Sequence, residues 1–348
     1  MECKLSEKVL VAMSGGVDST LVAHILKERG YDVVGCTIKF FAEQEQAVKD
    51  GEKAAKELGI DWFWADYTDH FKEDVISYFI RTYIQGKTPN PCAHCNRHAK
   101  FNYLFREMKA AGATKIATGH YAKKVQIGDK YFFKKGEDVR KDQSYYLCLL
   151  KDFQREVIEF PLGDMEKTNV KAKAAELGLS VAEKEESQDI CFLQGGDYRD
   201  FLEAKLGKDS IKKGWFIKDG KKFKEHDGII YYTVGQRKGL NIGYHEPLFV
   251  KEIDAESGNI IVSSKEEVTG RGVKVTDLVF PDDHDRVFRA EVKIRYRMQP
   301  VPCMVEIHPD NKATILFDRP EFAPTPGQIA CVYENDVVTC GGYISDVF

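Results

Sequence analysis

Ser14-Gly15-Gly16-Val17-Asp18-Ser19 lies between a short apolar run, Val9-Leu10-Val11-Ala12-Met13, and a segment of helical periodicity, Thr20-Leu21-Val22-Ala23-His24-Ile25-Leu26-Lys27, that stops at Gly30. The apolar run predicts a central parallel strand. Two adjacent glycines let the backbone turn tightly and aim successive N–H groups inward, and the helix that follows adds the positive end of its dipole. This placement predicts a cradle for the phosphates of a nucleotide, and so an ATP site. A Walker A loop would put Gly-Lys-Ser/Thr at the helix start. Val17-Asp18-Ser19 stands there instead, so cleavage at the γ-phosphate is not indicated.

At 348 residues the chain has room for two or three domains and a substantial core. No apolar run approaches the roughly 20 residues of a membrane helix, and Met-Glu-Cys-Lys at the start has no signal-peptide pattern. Nine cysteines scattered through such a length do not read as a secreted disulfide framework, which predicts a reducing cytoplasm. Cys3, Cys36, Cys148, Cys303, Cys331 and Cys340 have apolar or strand-like neighbours and read as core fillers. The net charge of −4 does not announce a nucleic-acid binder. Between Arg81 and Ala110, however, Arg81, Lys87, Arg97, Lys100, Arg106 and Lys109 face only Glu107, and further lysines follow to Lys141. Phosphate backbones respond to such a local field rather than to the global sum.

Three parts are predicted. Over residues 1–204 strand-like runs (Val33–Ile38, Trp62–Asp66, Lys115–His120) alternate with helical ones (Gln44–Leu58, Asn102–Ala111). This alternation predicts an α/β, doubly wound parallel sheet whose ligand sits beyond the carboxyl ends of its strands, where the Ser14 loop, Ile38 and Gly119-His120 all fall. Over 205–269, runs such as Ile229–Val234, Leu248–Ile253 and Asn259–Val262 predict a small β-rich domain. Over 270–348, Val287–Tyr296, Val301–Ile307, Ala313–Phe317 and Ile329–Tyr333 alternate as antiparallel strands of a small barrel or sandwich.

A second chemical feature is Thr88-Pro89-Asn90-Pro91-Cys92-Ala93-His94-Cys95-Asn96. The two prolines are expected to hold it extended, presenting the cysteines on a loop. Arg97 and Lys100 would favour a thiolate. A third cysteine, Cys191, follows Ser187-Gln188-Asp189-Ile190 and precedes Gly195-Gly196. From the residues alone these thiols fit structural zinc, redox or sulfur chemistry between Cys95 and Cys191, or an iron–sulfur cluster with one open iron.

The Ser14–Ser19 loop resembles the PP-loop of ATP pyrophosphatases, which split ATP between the α- and β-phosphates. With Thr88–Asn96, Gly119-His120-Tyr121-Ala122, Lys141-Asp142-Gln143-Ser144-Tyr145-Tyr146, Ser187–Phe192, Tyr232–Leu240 and Thr325-Pro326-Gly327-Gln328 it forms an ordered series. That series resembles the tRNA-specific 2-thiouridylase family across nearly the whole chain. The resemblance implies a PP-loop domain of the adenine nucleotide alpha hydrolase kind, a small central domain and a C-terminal β-barrel. It implies adenylation of the C2 oxygen of the wobble uridine in the tRNA anticodon arm, then replacement by sulfur, with AMP and pyrophosphate released. On this reading ATP is held by Ala12, Met13, Ser14, Gly15, Gly16, Val17, Asp18, Ser19, Ile38 and Gly119, with Mg²⁺ at Asp18. Cys95 is the nucleophile and Cys191 the persulfide carrier, the pair ending as a disulfide. Asn90, Pro91 and Cys92 meet the target base, and His120, Lys141, Asp142, Gln143, Arg295, Tyr296 and Gln328 contact tRNA. A sulfur-donor protein or sulfide is implied as partner.

One departure stands out: many members carry Asp where this chain has Cys92. The set Cys92, Cys95 and Cys191 looks like that of PP-loop thiolases with a [4Fe–4S] cluster, so the sulfur could come from a persulfide or from a cluster-bound sulfide. Two other readings stay open. One is a PP-loop synthetase using ammonia, which needs neither Cys95 nor Cys191. The other is a zinc-dependent RNA-binding protein that consumes no ATP.

Overall fold

The computed structural model describes residues 6–181 and 190–348, so Ser187-Gln188-Asp189 lies outside the described residues. The chain forms two compact units. One comprises Met1–Val75, Cys92–Gln188 and Asn335–Val338; the other comprises Ile76–Pro91, Asp189–Glu334 and Thr339–Phe348.

The first unit is built on β1 (Lys8–Ala12), α1 (Val17–Glu28), β2 (Asp32–Lys39), α2 (Glu45–Leu58), β3 (Asp61–Asp66), β4 (Lys115–Ala117) and β7 (Ile158–Glu159), with the hairpin β5 (Ala122–Ile127) and β6 (Lys130–Lys135) between the last two. The sheet is parallel throughout, in the order β3-β2-β1-β4-β7. Alternate residues of β1 serve opposite faces, as the two-residue period of a strand requires. Val9, Val11 and Met13 join Leu21, Ile25, Ala54, Leu58, Val170 and Ala174 in one core, which places α1, α2 and the helix Lys167–Glu176 on that side. Leu10, fully buried, faces the other way, where the helix Phe101–Ala110 packs on β1 and β4. Helices thus cover both faces, which makes the sheet doubly wound. Strand order runs outward from β1 to β3, then resumes on the opposite side at β4. The crevice between β1 and β4 is therefore the topological switch point, where open α/β sheets bind their ligands.

In the second unit β8 (Gly214–Lys218), β9 (Lys221–His226), β10 (Phe249–Asp254) and β11 (Asn259–Ser263) form a four-stranded sheet in the order β10-β11-β8-β9. Six further strands follow: β12 (Thr269–Val279), β13 (Val287–Lys293), β14 (Val301–His308), β15 (Lys312–Phe322), β16 (Ile329–Glu334) and β17 (Val337–Val347). Their order β12-β15-β14-β13-β16-β17, closed by β12 pairing antiparallel with β17, makes a barrel. Inward residues alternate along each strand: Val273 and Val275, Cys303 and Val305, Ala313 and Ile315 all belong to its core.

Two expectations are corrected. Ile229–Tyr231 is a 3-10 turn rather than a strand, with Ile229 and Ile230 buried from that turn. Pro91–Cys95 is helical rather than extended. Proline has no N–H to lose at the first position of a helix and a φ already suited to it, so Pro91 starts the helix instead of preventing one. Helical backbone then continues through Asn96–Lys100 into Phe101–Ala110.

Leu10→Ala removes a large side chain from the sheet's fully buried face and should cost about 2–5 kcal/mol of stability, read by urea unfolding. A change below about 1 kcal/mol would place Leu10 outside a packed core.

Candidate active site

β1 ends at Ala12 and α1 begins at Val17, so Met13-Ser14-Gly15-Gly16 makes the whole turn and Val17-Asp18-Ser19 is the first helical turn. The turn is tied from within. The Ser14 N–H donates to Ser19 Oγ at 3.2 Å, and Ser19 Oγ and Thr20 Oγ1 donate to the Gly16 carbonyl at 3.1 and 3.0 Å. Thr37 Oγ1 donates to the Met13 carbonyl at 2.7 Å and accepts from Trp62 Nε1, so β2 and β3 brace the loop from the side. Gly15 has φ +70°, and a Cβ there would lie 2.4 Å from Asp50 Cβ on α2. Both the left-handed backbone and the close helix demand glycine.

Gly119, just past β4, closes the crevice from its other wall. A Cβ at Gly119 would lie 2.8 Å from Asp18 Cβ and 3.3 Å from the Ser19 nitrogen. Met13 lies in the turn itself and Ile38 near the end of β2, and both are buried. The residues that the sequence assigns to nucleotide binding all belong to the first unit.

Two side chains assigned no role from the sequence complete the cradle. Tyr121 OH donates to Asp18 Oδ1 at 2.8 Å, and Lys167 Nζ donates to the same oxygen at 2.6 Å. Lys167 opens its helix, and its backbone N–H is received by Asp138 Oδ2 at 3.1 Å. Tyr121 directly follows Gly119-His120, a signal that could have been used. Lys167 is 149 positions from Asp18, and nothing near it in sequence points there.

The polar residues around the crevice are largely engaged in holding backbone. Gln143 Oε1 accepts the Tyr121 N–H, and the Gln143 N–H donates to the Tyr121 carbonyl. The buried Asp142 carboxylate accepts the N–H groups of Gly136 and Ser144 and the Ser144 hydroxyl. His120 is buried, pairs with Thr118 Oγ1 at 2.7 Å, and contacts the rings of Phe101 and Phe160. Burial, with a smaller push from Lys100, holds His120 well below the ordinary imidazole value. The ring is therefore neutral, and can stack or hydrogen-bond but brings no charge to a phosphate.

Cys92 and Cys95 occupy the start of the helix that Pro91 opens, three positions apart and so on neighbouring ground of its surface. Cys92 is exposed and Cys95 half-buried. Asn96 Nδ2 donates to the Tyr146 carbonyl at 3.0 Å, which joins this helix to the Lys141–Tyr146 segment. Tyr103 donates to Asp74 Oδ2 at 2.6 Å, and burial together with that carboxylate holds its phenol far above the usual range, with Cys95 in electrostatic reach.

Cys191 belongs to the other unit, as do Asn90, Pro91, Arg295, Tyr296 and Gln328. It is exposed on the one-turn helix Cys191–Leu193, which its neighbour Phe192 anchors by packing on Phe79 and Phe201. Gln328 Nε2 donates to the Thr88 and Pro89 carbonyls at 3.1 and 2.9 Å and so fixes the approach to buried Asn90 and Pro91. Arg295 Nη2 donates to the Val234 and Ala323 carbonyls and to Thr325 Oγ1, at 3.3, 2.7 and 3.0 Å. Two of the quoted motifs, Tyr232–Leu240 and Thr325–Gln328, meet on that one guanidinium.

Among the described residues no group of three Cys, His, Asp or Glu side chains is placed to hold a metal ion. The first unit brings Cys92 and Cys95 together; Cys191 is counted with the second. The basic stretch is also less open than its composition suggests. Lys123 pairs with Glu137 and Asp164, Lys124 with Glu159, Lys115 with Glu7 and Glu159, and Lys135 with Asp336.

Three family models match in succession. They are described as the tRNA methyl transferase HUP domain (residues 7–195), the tRNA methyl transferase PRC-barrel domain (199–264) and the aminomethyltransferase beta-barrel domain (271–344). The chain is 37% identical over 356 residues to the tRNA-specific 2-thiouridylase MnmA of Clostridioides difficile, with 98% of each chain covered. It is 39% identical over 358 residues to the protein of the same name from Geobacter metallireducens, covering 98% of this chain and 97% of that one. Among solved structures, the U34-tRNA thiolase NcsA from Methanococcus maripaludis aligns at 17% identity over 60% of this chain and 71% of that one. Its TM-score of 0.35 is too low for the likeness to carry an argument.

Two measurements test the local roles. Arg295→Met keeps bulk but strips three hydrogen bonds, and should cost about 1–3 kcal/mol in urea unfolding; a residue serving tRNA alone would leave the midpoint unmoved. His120, neutral when folded, has no linked effect above about pH 6.5. Below that value the unfolded chain takes up a proton that the folded one refuses, and stability should fall by up to about 1.4 kcal/mol per pH unit. His120→Gln should flatten that acid limb, and an unchanged slope would assign it to another group.

Proposed function

We propose that this chain, which belongs to the tRNA-specific 2-thiouridylase family, activates a tRNA uridine at the crevice between β1 and β4 and replaces its oxygen through Cys191 and Cys95. It is an ATP-dependent sulfurtransferase acting on tRNA. The observation that carries the assignment of the site is the fit of Gly119 against Asp18 and Ser19. That fit makes one walled cradle from two strands' ends, bare of side chains where a polyphosphate needs donors.

The chemistry follows from what the uridine lacks. Its C2 carbonyl is a poor electrophile with a poor leaving group. Attack of the C2 oxygen on the α-phosphorus of ATP breaks the bond to the bridging oxygen, and pyrophosphate departs. The loop N–H groups, fixed by the Ser14–Ser19 and Thr20–Gly16 hydrogen bonds, are preorganised for the charge that moves onto the phosphates. A Mg²⁺ accompanying the nucleotide fits the one carboxylate of this turn, that of Asp18, and would neutralise phosphate charge.

Sulfur then arrives as a persulfide on Cys191, loaded by a donor protein carrying labile sulfur. Its terminal sulfur adds to C2, and AMP leaves with the former C2 oxygen. Cys95 as thiolate attacks Cys191 Sγ; the bond to the transferred sulfur breaks, its electron pair stays with 2-thiouridine, and a Cys95–Cys191 disulfide remains for a dithiol to reduce. The base reaches this chemistry by leaving the anticodon stack, with Asn90, Pro91 and Cys92 beside it. A cytoplasmic setting keeps both thiols reduced between cycles. Residues 1–204 carry the ATP chemistry, while 205–269 and 270–348 extend the grip on tRNA. No step is routed through a [4Fe–4S] cluster.

The test combines unmodified tRNA, ATP and a sulfur donor with nucleoside mass spectrometry. Cys95→Ser and Cys191→Ser should each lose thiolation while retaining tRNA-dependent pyrophosphate release. Retained thiolation in either variant would overturn the relay. Protein purified without oxygen should be colourless and active, whereas iron that disappears with Cys92→Asp would replace the persulfide by a cluster.

A further inference from the structure

Between Ala12 and Ala23 the only charged residue is Asp18. A carboxylate suits the first turn of α1, where the helix dipole is positive. Beside a polyphosphate it calls for cations, because both are anions in the same small space, and a nucleotide's Mg²⁺ would be one of them. The loop also lacks the lysine that a Walker A turn carries in sequence.

The fold supplies a cation from elsewhere. Lys167 Nζ lies 2.6 Å from Asp18 Oδ1, with the lysine side chain 7% exposed and the aspartate 29%. Val170 and Ala174 of its helix share the core with Val17 and Leu21 of α1, so the two helices are packed as one body. Asp138 holds the Lys167 N–H at the helix start, and the Tyr121 ring lies 5.5 Å from the ammonium. The lysine is thus fixed at backbone, stem and head. A buried ion pair is weak evidence of a purely stabilising role, since apolar residues of like volume are often as good. Here the pair sits at the lip of an anion cradle.

We propose that Lys167 is a polyphosphate-binding residue of this site, offsetting the charge of Asp18 and donating to the phosphate oxygens that the Ser14–Ser19 turn receives. The proposal rests on the ATP site described above. It gives the turn, by packing, what a Walker A loop has by sequence.

Isothermal titration of ATP, AMP and adenosine into the full chain tests it, using wild type, Lys167→Gln, Lys167→Arg, Asp18→Asn and the double variant Asp18→Asn/Lys167→Gln. Lys167→Gln should weaken ATP about 10- to 100-fold, the loss of one charge-assisted hydrogen bond, and leave adenosine within about twofold. Lys167→Arg should recover part of the loss. The double variant should bind ATP more weakly than Asp18→Asn alone; equal binding would mean that Lys167 serves only Asp18, and would overturn the proposal. That comparison stands even if Lys167→Gln fails to fold, because the double variant removes both members of the ion pair together. Equal ATP binding by wild type and Lys167→Gln overturns the role of Lys167 alone, whereas wild type that binds no ATP overturns the site itself.

Discussion

Gly119 stands so near Asp18 that not even a methyl group fits between them, and the rest of the site depends on that closeness. It presses the end of β4 against the first turn of α1, so the switch point of the sheet becomes a narrow slot with backbone on both walls. Tyr121 reaches Asp18 because it is two residues beyond Gly119; Gln143 is placed by Tyr121, and the Asp142 turn by its tie to Gly136. A bulkier residue at 119 would move this whole chain of contacts away from the nucleotide cradle.

Much of the first unit is legible in sequence, because buried parallel strands are short apolar runs and their helices keep a 3.6-residue period. Val9–Met13, Val33–Ile38 and Trp62–Asp66 all lie on observed strands or their ends. Elsewhere local signals mislead. Pro91 reads as a breaker, yet at the first helical position its missing N–H is no loss. Ile229-Ile230-Tyr231 reads as a strand, yet its apolar residues are buried from a tight turn. β9 is hard to read in sequence because five of its six residues are exposed and all but Phe223 are charged or histidine, as suits an outer strand of a small sheet. β12 begins Thr269-Gly270-Arg271-Gly272, a stretch that looks like a turn until its partners β15 and β17 are present.

The same difference separates the site residues that can be read from those that cannot. The glycine turn and the paired cysteines announce themselves through spacing. Lys167 does not, because its place is set by how its helix packs on α1. Arg295 and Gln328 show a further difficulty. Their polar side chains invite a reading as tRNA contacts, while in the fold they carry hydrogen bonds that fix Val234, Ala323, Thr88 and Pro89. Recognition can work through such struts, since a backbone held in place presents its own neighbours.

Phe192 plugs into the aromatic rings of Phe79 and Phe201 while Cys191, one residue earlier, stands in solvent. The adjacent pair divides anchorage from exposure. In the relay proposed above, the sulfur of Cys191 would be loaded, stripped and oxidised at every turnover and would take the chemical wear of the cycle. Because Phe192 packs into the aromatic cluster, damage to that exposed atom could be suffered and repaired without the hydrophobic interior opening.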